Sequence, residues 1–446
     1  MVRVIVFDAR EAENRKDLLG TWLNDSHYDE LINEDCDLYV VGNTVDGLDE
    51  PSEKNVIFKL RKNFYTEEEM ASAIEGLADA AVESQNRGIA GGPRIEGEGP
   101  AGDKGRQWVT DLQYELLEYF ADGQQRIMLT NDPIKEIRDN NYNTKSVSSR
   151  GTVWLKEKIE ASNFVFDDWI KNALTLDVEE ASKQAQNILD NYISKTTYAN
   201  AVNSGIAGWY DRYPRIPYGR PTSYTEHNFD KFKKSYKFLE KVAKGYSEML
   251  PWRFNNQNEA SKNVDERFRV PNTPFTTITV NKNFRTAAHY DPANMEEGFA
   301  NISVVSRNPN YDGCYLVFPE IRKAVNIRPG DLLLVNNQSG LHGNTQFISD
   351  DPNYERISII AFFHEGMKNL GDYDYEMARK EFVDHNKLET WDGIPNPRWK
   401  PRFNGVFPGM FSSQEWYDYL KAKLGEEVLL KYHPESKSSS LDDFFN

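Results

Sequence analysis

The chain has 446 residues, 39% of them hydrophobic and 13% aromatic, and a formal net charge of −17. That length suffices for two or three domains or for one elaborated catalytic domain, and the composition is that of a globular protein. No apolar run approaches a membrane span, which excludes a transmembrane segment, and two cysteines give no disulfide framework. The acidity argues against a general, charge-driven grip on nucleic acid, because phosphate contacts need clustered Lys and Arg.

Residues 1–85 read as a small N-terminal α/β unit. Its expected elements are a buried-type strand from Val2 to Phe7, a helix around Asp17 to Leu23, and strands at Leu38–Val41 and Val56–Leu60. The N-terminus lacks a signal-peptide pattern, so the cytoplasm is the expected compartment. Thr66 with Glu69 forms a capping box that opens a helix to about Glu83.

Residues 86–106 hold seven glycines between positions 88 and 105, the composition of a flexible linker. Glycine beside arginine also suits close approach to a phosphate or a flipped base, which makes Arg94 a candidate substrate contact. A similar run recurs from Gly205 to Arg212. Helical patterns over Trp108–Phe120 and Asp177 to about Ala201 are expected to brace the domain. The irregular, Arg- and Tyr-rich stretch from Tyr213 to Thr222 suits either a substrate-facing loop, with Arg215 and Arg220, or a packed connector.

From Phe229 to Tyr246 the apolar positions Phe229, Phe232, Tyr236, Leu239, Ala243 and Tyr246 form one helical stripe. Lys234, Lys237, Lys241 and Lys244 share the other side, a phosphate track or simply a solvated face.

The segment from Arg285 to Asp291 organises the rest of the chain. His289 and Asp291, two apart at the expected end of a strand, point to the same side and can reach one metal ion. His342, from a later strand, would be the third ligand. Two imidazoles and one carboxylate on one face leave positions open for a chelating co-substrate and O2, the arrangement of a non-haem Fe(II) oxygenase. Between them, Ile327 to Val335 reads as strand, Pro329–Gly330 turn and strand, with glycine where the turn needs positive φ.

Arg356 and Ser358 then lie on one face of a strand. A guanidinium fork matches a carboxylate bidentately and a hydroxyl adds a third bond, which suits the distal carboxylate of 2-oxoglutarate. Asn281 and Asn283 are candidates to bond co-substrate or base, or are plain strand-edge asparagines. His364 is placed to support the site from behind.

Strands expected at 275–281, 299–305, 314–318, 323–327, 331–335, 342–346 and 357–363, separated by turn signals, suggest a jelly-roll closure. The fold class is therefore α+β: a double-stranded β-helix (jelly roll) oxygenase core over 270–370, with flanking helices inside an oxygenase domain of residues 107–435. Helices over 372–387 and 413–424 are expected to cap the barrel. Residues 436–446 read as a disordered C-terminal tail.

Phe275–Asn281, His289–Asp291, Gly313–Pro319, Arg328–Asp331, Leu341–Asn344 and Arg356–Ser358 resemble the TET/JBP oxygenases, over roughly residues 270–370. That family's cofactors are Fe(II), 2-oxoglutarate as co-substrate, and O2. Its reaction, oxidation of the 5-methyl group of thymine or 5-methylcytosine in DNA, is what the resemblance implies. It implies equally that His289, Asp291 and His342 hold the metal and Arg356 and Ser358 the co-substrate. With only Cys36 and Cys314 present, the cysteine-rich zinc-binding region of animal TET enzymes is missing, so the similarity is to compact microbial and viral members, for which the compartment would be the host cytoplasm.

Two alternatives stand beside this reading: an oxygenase on a free nucleotide, small metabolite or protein side chain, which the acidity favours, and a non-catalytic jelly-roll scaffold of a replication or virion assembly. The tail residues Leu441, Phe444 and Phe445 are similar to the C-terminal peptides by which replication proteins of T-even-type bacteriophages dock on the sliding clamp.

Overall fold

The computed structural model describes residues 2–42, 49–84, 87–92, 107–109, 176–191, 193–195, 200–212, 216–291, 294–338, 340–399, 404–407 and 409–434. The chain divides into two compact units, the first comprising residues 1–98, 198–210 and 220–369, the second 99–197, 211–219 and 370–446.

The first unit holds the jelly roll. Its strands are β1 (Arg3–Asp8), β2 (Glu30–Ile32), β3 (Cys36–Val41), β4 (Val56–Arg61), β5 (Val202–Arg212), β6 (Thr277–Lys282), β7 (Ala300–Val305), β8 (Leu316–Phe318), β9 (Lys323–Val325), β10 (Leu332–Val335), β11 (Gly343–Asn344) and β12 (Ile357–Phe362). In the larger sheet these run in the order β1, β3, β4, β10, β7, β12, β6, β5, with the two-residue strand Glu83–Ser84 beyond β5; in the smaller the order is β11, β8, β9, β2. The N-terminal strands, expected to form a unit of their own, are hydrogen-bonded into both sheets: β4 pairs with β10 and β2 with β9.

The alternation of side chains explains the packing. In β4, Val56, Phe58 and Leu60 are buried while the residues between them are only partly so. Phe58 and Leu60 join Leu38, Ile302, Val304, Leu333 and Val335 from the larger sheet and Leu316, Phe318 and Val325 from the smaller in one core. Phe58 stacks on Phe318 with ring centroids 5.7 Å apart. Each such fully buried side chain contributes roughly 1.5–3 kcal/mol. Strand β7 is buried on both faces; on the side away from this core, Ser303 Oγ lies 2.7 Å from the hydroxyl of Tyr65.

The Pro329–Gly330 turn forms as expected, with Gly330 at φ +96. The Asp331 carboxylate accepts from the backbone amides of Arg328 and Asn63 and pairs with Lys62. The Thr66–Glu69 capping box is also present.

Several helices differ from expectation. Lys16–Leu18 is a single 3-10 turn, not a helix to Leu23, because Gly20 donates to Ala288 O and Thr21 O accepts from Ala288 N. The helix opened by Thr66 stops at Leu77 and tightens into a 3-10 turn at Ala78–Ala80. Phe229–Lys233 and Tyr236–Met249 are two helices with a break between them. The break fits Ser235, whose hydroxyl donates to Phe232 O and which lies against Gly76.

The second glycine run is strand β5. A Cβ on Gly205 would lie 1.7 Å from Ala80 O and one on Gly208 2.4 Å from Thr276 O, so those glycines let backbones pass close together.

In the second unit, helices Tyr373–Asn386, Gln414–Leu424 and Glu426–Tyr432 pack around Trp416 and Phe382. Trp108 and Val109 lie in a short strand, Gln107–Val109, paired with Ile193–Lys195 rather than in a helix; residues 110–120 lie outside the described residues. The helix beginning at Val178 ends at Asn191. Residues 436–446, and with them Leu441, Phe444 and Phe445, also lie outside the described residues. Among the described residues no helix is long and apolar enough to cross a membrane.

Candidate metal centre and co-substrate pocket

Strand β6 ends at Lys282, so His289 does not stand on it; it lies in an isolated antiparallel bridge with His342. The amide of His289 donates to His342 O at 2.8 Å and the amide of His342 returns a bond to His289 O at 3.1 Å. Each Nδ1 lies against a main-chain carbonyl, His289 against Ala287 O at 2.7 Å and His342 against Gly340 O at 3.0 Å. A carbonyl only accepts, so each Nδ1 carries the proton and each Nε2 presents a lone pair.

Both Nε2 atoms face one carboxylate. His289 Nε2 lies 3.5 Å from Asp291 Oδ1 and His342 Nε2 lies 3.6 Å from Asp291 Oδ2. Ligand atoms of the three residues all fall within 4.8 Å of one another. The donor set fits Fe(II): two neutral imidazoles and a carboxylate on one side, with second bonds fixing the imidazole orientation. Burial alone would raise the pKa of Asp291, but before a metal binds, when each Nε2 carries a proton, hydrogen bonds from the two imidazoles and their charge hold it well below the usual carboxylate range. Burial pulls His289 down, and its bond to Asp291 more than reverses this.

A support not legible in the sequence is Asn337. Its Nδ2 donates to Asp291 Oδ2 at 2.5 Å and its carbonyl accepts from the Asp291 amide at 3.1 Å. Asn294 donates in turn to Asn337 Oδ1 at 2.7 Å and stands opposite His364 in a second isolated bridge. No periodicity singles out an asparagine just beyond a strand, so nothing pointed to Asn337.

Arg356, Ser358 and Ile360 share a face of β12. Ile360 packs against the core between the sheets, so this face looks into the barrel. Arg356 is 4% exposed, yet its Nε has no partner, and among the described residues no carboxylate pairs with it. A buried guanidinium left in that state is the fit expected for an anionic ligand such as 2-oxoglutarate.

Asn283 plays a different part from the one expected. At φ +47 it spends its side chain on its neighbours, Oδ1 accepting from the Arg356 amide at 2.7 Å and Nδ2 donating to Tyr354 O at 2.9 Å. It positions the start of the arginine strand. Asn281 pairs in register with Ser358 and accepts from Ser204 Oγ.

The glycine-rich segment touches the iron motif at its described end. Ala90 O accepts from Ala287 N at 2.9 Å, and a Cβ on Gly92 would meet the Trp22 ring, over which Arg285 stacks at 4.8 Å. Of the expected substrate contacts, Arg94 and Arg215 lie outside the described residues. Arg220 donates to the Tyr210 hydroxyl at 2.7 Å. Lys234 pairs with Glu75, Lys237 is exposed, and Lys241 lies over the Phe64 ring.

This fold and this site have the make-up expected of an iron- and 2-oxoglutarate-dependent oxygenase. Residues 206–365 match the family described as Tet_JBP, the oxygenase domain of the 2OGFeDO superfamily.

Among similar proteins are the bifunctional helicase and thymine dioxygenase JBP2 of Leishmania braziliensis, 30% identical over 42% of this chain and 17% of the relative. Thymine dioxygenase JBP1 of Trypanosoma brucei brucei is 27% identical over 42% of this chain and 23% of the relative. The chain thus spans less than a quarter of either relative's length. A solved structure of NgTET1 in complex with 5mC DNA aligns with a TM-score of 0.33 at 15% identity, over 44% of this chain and 70% of that one.

Proposed function

We propose that this chain hydroxylates the 5-methyl group of 5-methylcytosine or thymine in DNA, acting in the cytoplasm. What carries the reading is the convergence of His289, Asp291 and His342 in a stretch that matches the Tet_JBP oxygenase domain, a family whose curated relatives include thymine dioxygenases. Fe(II) and 2-oxoglutarate bound there supply the chemistry that uses O2 to hydroxylate a methyl group.

The chain's own residues do the rest. His289, Asp291 and His342 hold the metal from one side, leaving the opposite side for co-substrate and O2. Arg356 and Ser358 fix the far end of the co-substrate. A methyl group in duplex DNA has to be flipped out, or offered on a single strand, to reach this centre.

The test is to incubate iron-loaded protein with methylated DNA, unmethylated DNA and free nucleotides, and to look for hydroxymethyl bases by mass spectrometry. Product from methylated or thymine-containing DNA supports the reading; product from free nucleotide alone replaces it. That second reading is favoured by the net charge of −17 and by the pairing of Lys231 and Lys234 with Asp79 and Glu75.

DNA contact through Arg94, Arg215, Arg220 and the lysine helix is part of the proposal. Replacing Lys234, Lys237 and Lys241 with glutamate should weaken binding to every sequence and flatten its salt dependence. Docking of Leu441, Phe444 and Phe445 on a sliding clamp would raise the local concentration of enzyme on newly made DNA. Deleting residues 439–446 should then abolish clamp capture and leave activity on short oligonucleotides unchanged.

A further inference from the structure

Arg356 is not the only buried group in its pocket left without a partner. Tyr311 is 6% exposed, and its hydroxyl, buried beside the Arg356 guanidinium, which can only donate to it, has no acceptor for its own proton. The ring is firmly held: the guanidinium of Arg328 lies 4.1 Å from its centroid, Phe347 meets it edge-on at 5.7 Å and Tyr354 lies at 6.0 Å. Arg328 is itself anchored, its Nη2 donating to Tyr311 O at 2.6 Å, while its Nη1 is buried and unpartnered.

Three buried polar atoms, Arg356 Nε, Tyr311 Oη and Arg328 Nη1, are therefore unsatisfied in one neighbourhood, and among the described residues no carboxylate pairs with either arginine. A hydroxyl stranded in this way destabilises a fold, whereas a phenylalanine of the same shape would not. Its presence beside an unpaired guanidinium calls for an acceptor that arrives with a ligand.

We propose that Tyr311 donates a hydrogen bond to the distal carboxylate of the co-substrate, as a third contact beside Arg356 and Ser358, and that Arg328 positions it by covering its ring. The inference rests on Arg356 being the carboxylate anchor. It explains why the tyrosine is held from several sides: a hydroxyl on a fixed ring adds to affinity without costing rotamer freedom on binding.

The experiment compares two ligands that share the keto-acid end, 2-oxoglutarate and 2-oxobutyrate, which lacks the distal carboxylate. Each is titrated calorimetrically into the Mn(II)-loaded full chain carrying the native residue, Tyr311→Phe or Arg356→Lys. For Tyr311→Phe the dissociation constant of 2-oxoglutarate should rise about tenfold, as expected for one bond to a charged acceptor, with 2-oxobutyrate unchanged. The ligand-free Tm of this variant should be equal to or higher than the native value. An unchanged 2-oxoglutarate constant, or equal weakening of both ligands, overturns the role of Tyr311. If Arg356→Lys also leaves 2-oxoglutarate binding unchanged, the carboxylate pocket itself is misassigned; if only Arg356→Lys weakens it, the pocket stands without Tyr311.

Discussion

His289 and His342 hydrogen-bond each other through their backbones in both directions, at 2.8 and 3.1 Å, although strand β6 ends well before the first of them. One bridge thus places two metal ligands, and Asn337 places the third by gripping Asp291 through both side chain and carbonyl. Main-chain bonds between His289 and His342, and main-chain and side-chain bonds between Asn337 and Asp291, hold the three ligands in place.

Substitution of His289 or Asp291 by alanine should consequently reduce turnover to background while the Tm of the metal-free protein stays within a few degrees of native. Turnover and thermal melts measured on the same preparations check this. Near-normal activity in either variant would remove that residue from the ligand set.

Asn337→Ala should weaken iron binding by roughly 10–100-fold, the usual effect of losing a group that orients a ligand. A metal competition titration measures it. The variant should regain turnover at high iron, which the Asp291 variant should not.

Arg356→Lys keeps the charge but loses the planar fork. The KM for 2-oxoglutarate should rise by the equivalent of about 1.5–3 kcal/mol, with a smaller change in kcat. Steady-state kinetics at varied co-substrate decide this, and an unchanged KM would mean that another group holds the carboxylate.

Much of this site was legible because its chemistry is carried by residue types at short spacing: His289 with Asp291, the Pro329–Gly330 turn, and Arg356 with Ser358. The alternating strands of the barrel were legible for the same reason. What escaped depends on contacts distant in sequence. Asn283 serves as a bracket for Arg356 only because β6 and β12 are neighbours in the sheet. The 3-10 turn at Lys16–Leu18 replaces a helix because the backbone just after it pairs with Ala288. The run from Gly205 reads at most as an approach to a phosphate or base, whereas the glycines at 205 and 208 mark backbone passing against Ala80 and Thr276.

Acid should loosen the start of the arginine strand. Burial tends to raise the pKa of Glu355, but its bonds to the Arg307 amide and to Lys282 hold it below the usual range. A carboxylate whose folded pKa is depressed adds stability above its unfolded pKa of about 4.3, and that stability is lost as the pH falls through the lower, folded value. The Tm should therefore drop on acidification below about pH 4, and Glu355→Gln should lower the Tm at neutral pH and flatten the acid limb. Parallel acid limbs for the native and Gln proteins would show that Glu355 is not responsible.

The last prediction concerns the glycine-rich segment as a brace of the metal centre. Gly92 has φ +81, and a Cβ there would lie 2.2 Å from the Trp22 ring, whereas Gly88, at φ +47, has open space around its Cβ position. Alanine at Gly88 meets only the cost of a left-handed backbone, about 1 kcal/mol. Alanine at Gly92 must also displace Trp22, the ring on which Arg285 stacks four residues before His289. Gly92→Ala should accordingly lower the Tm by several degrees more than Gly88→Ala and reduce iron affinity, while Gly88→Ala leaves iron affinity unchanged. Melts and metal titrations on the two variants separate the effects: equal losses of Tm, or native iron affinity in Gly92→Ala, would detach this segment from the iron motif and leave the bond between Ala90 O and Ala287 N without functional weight.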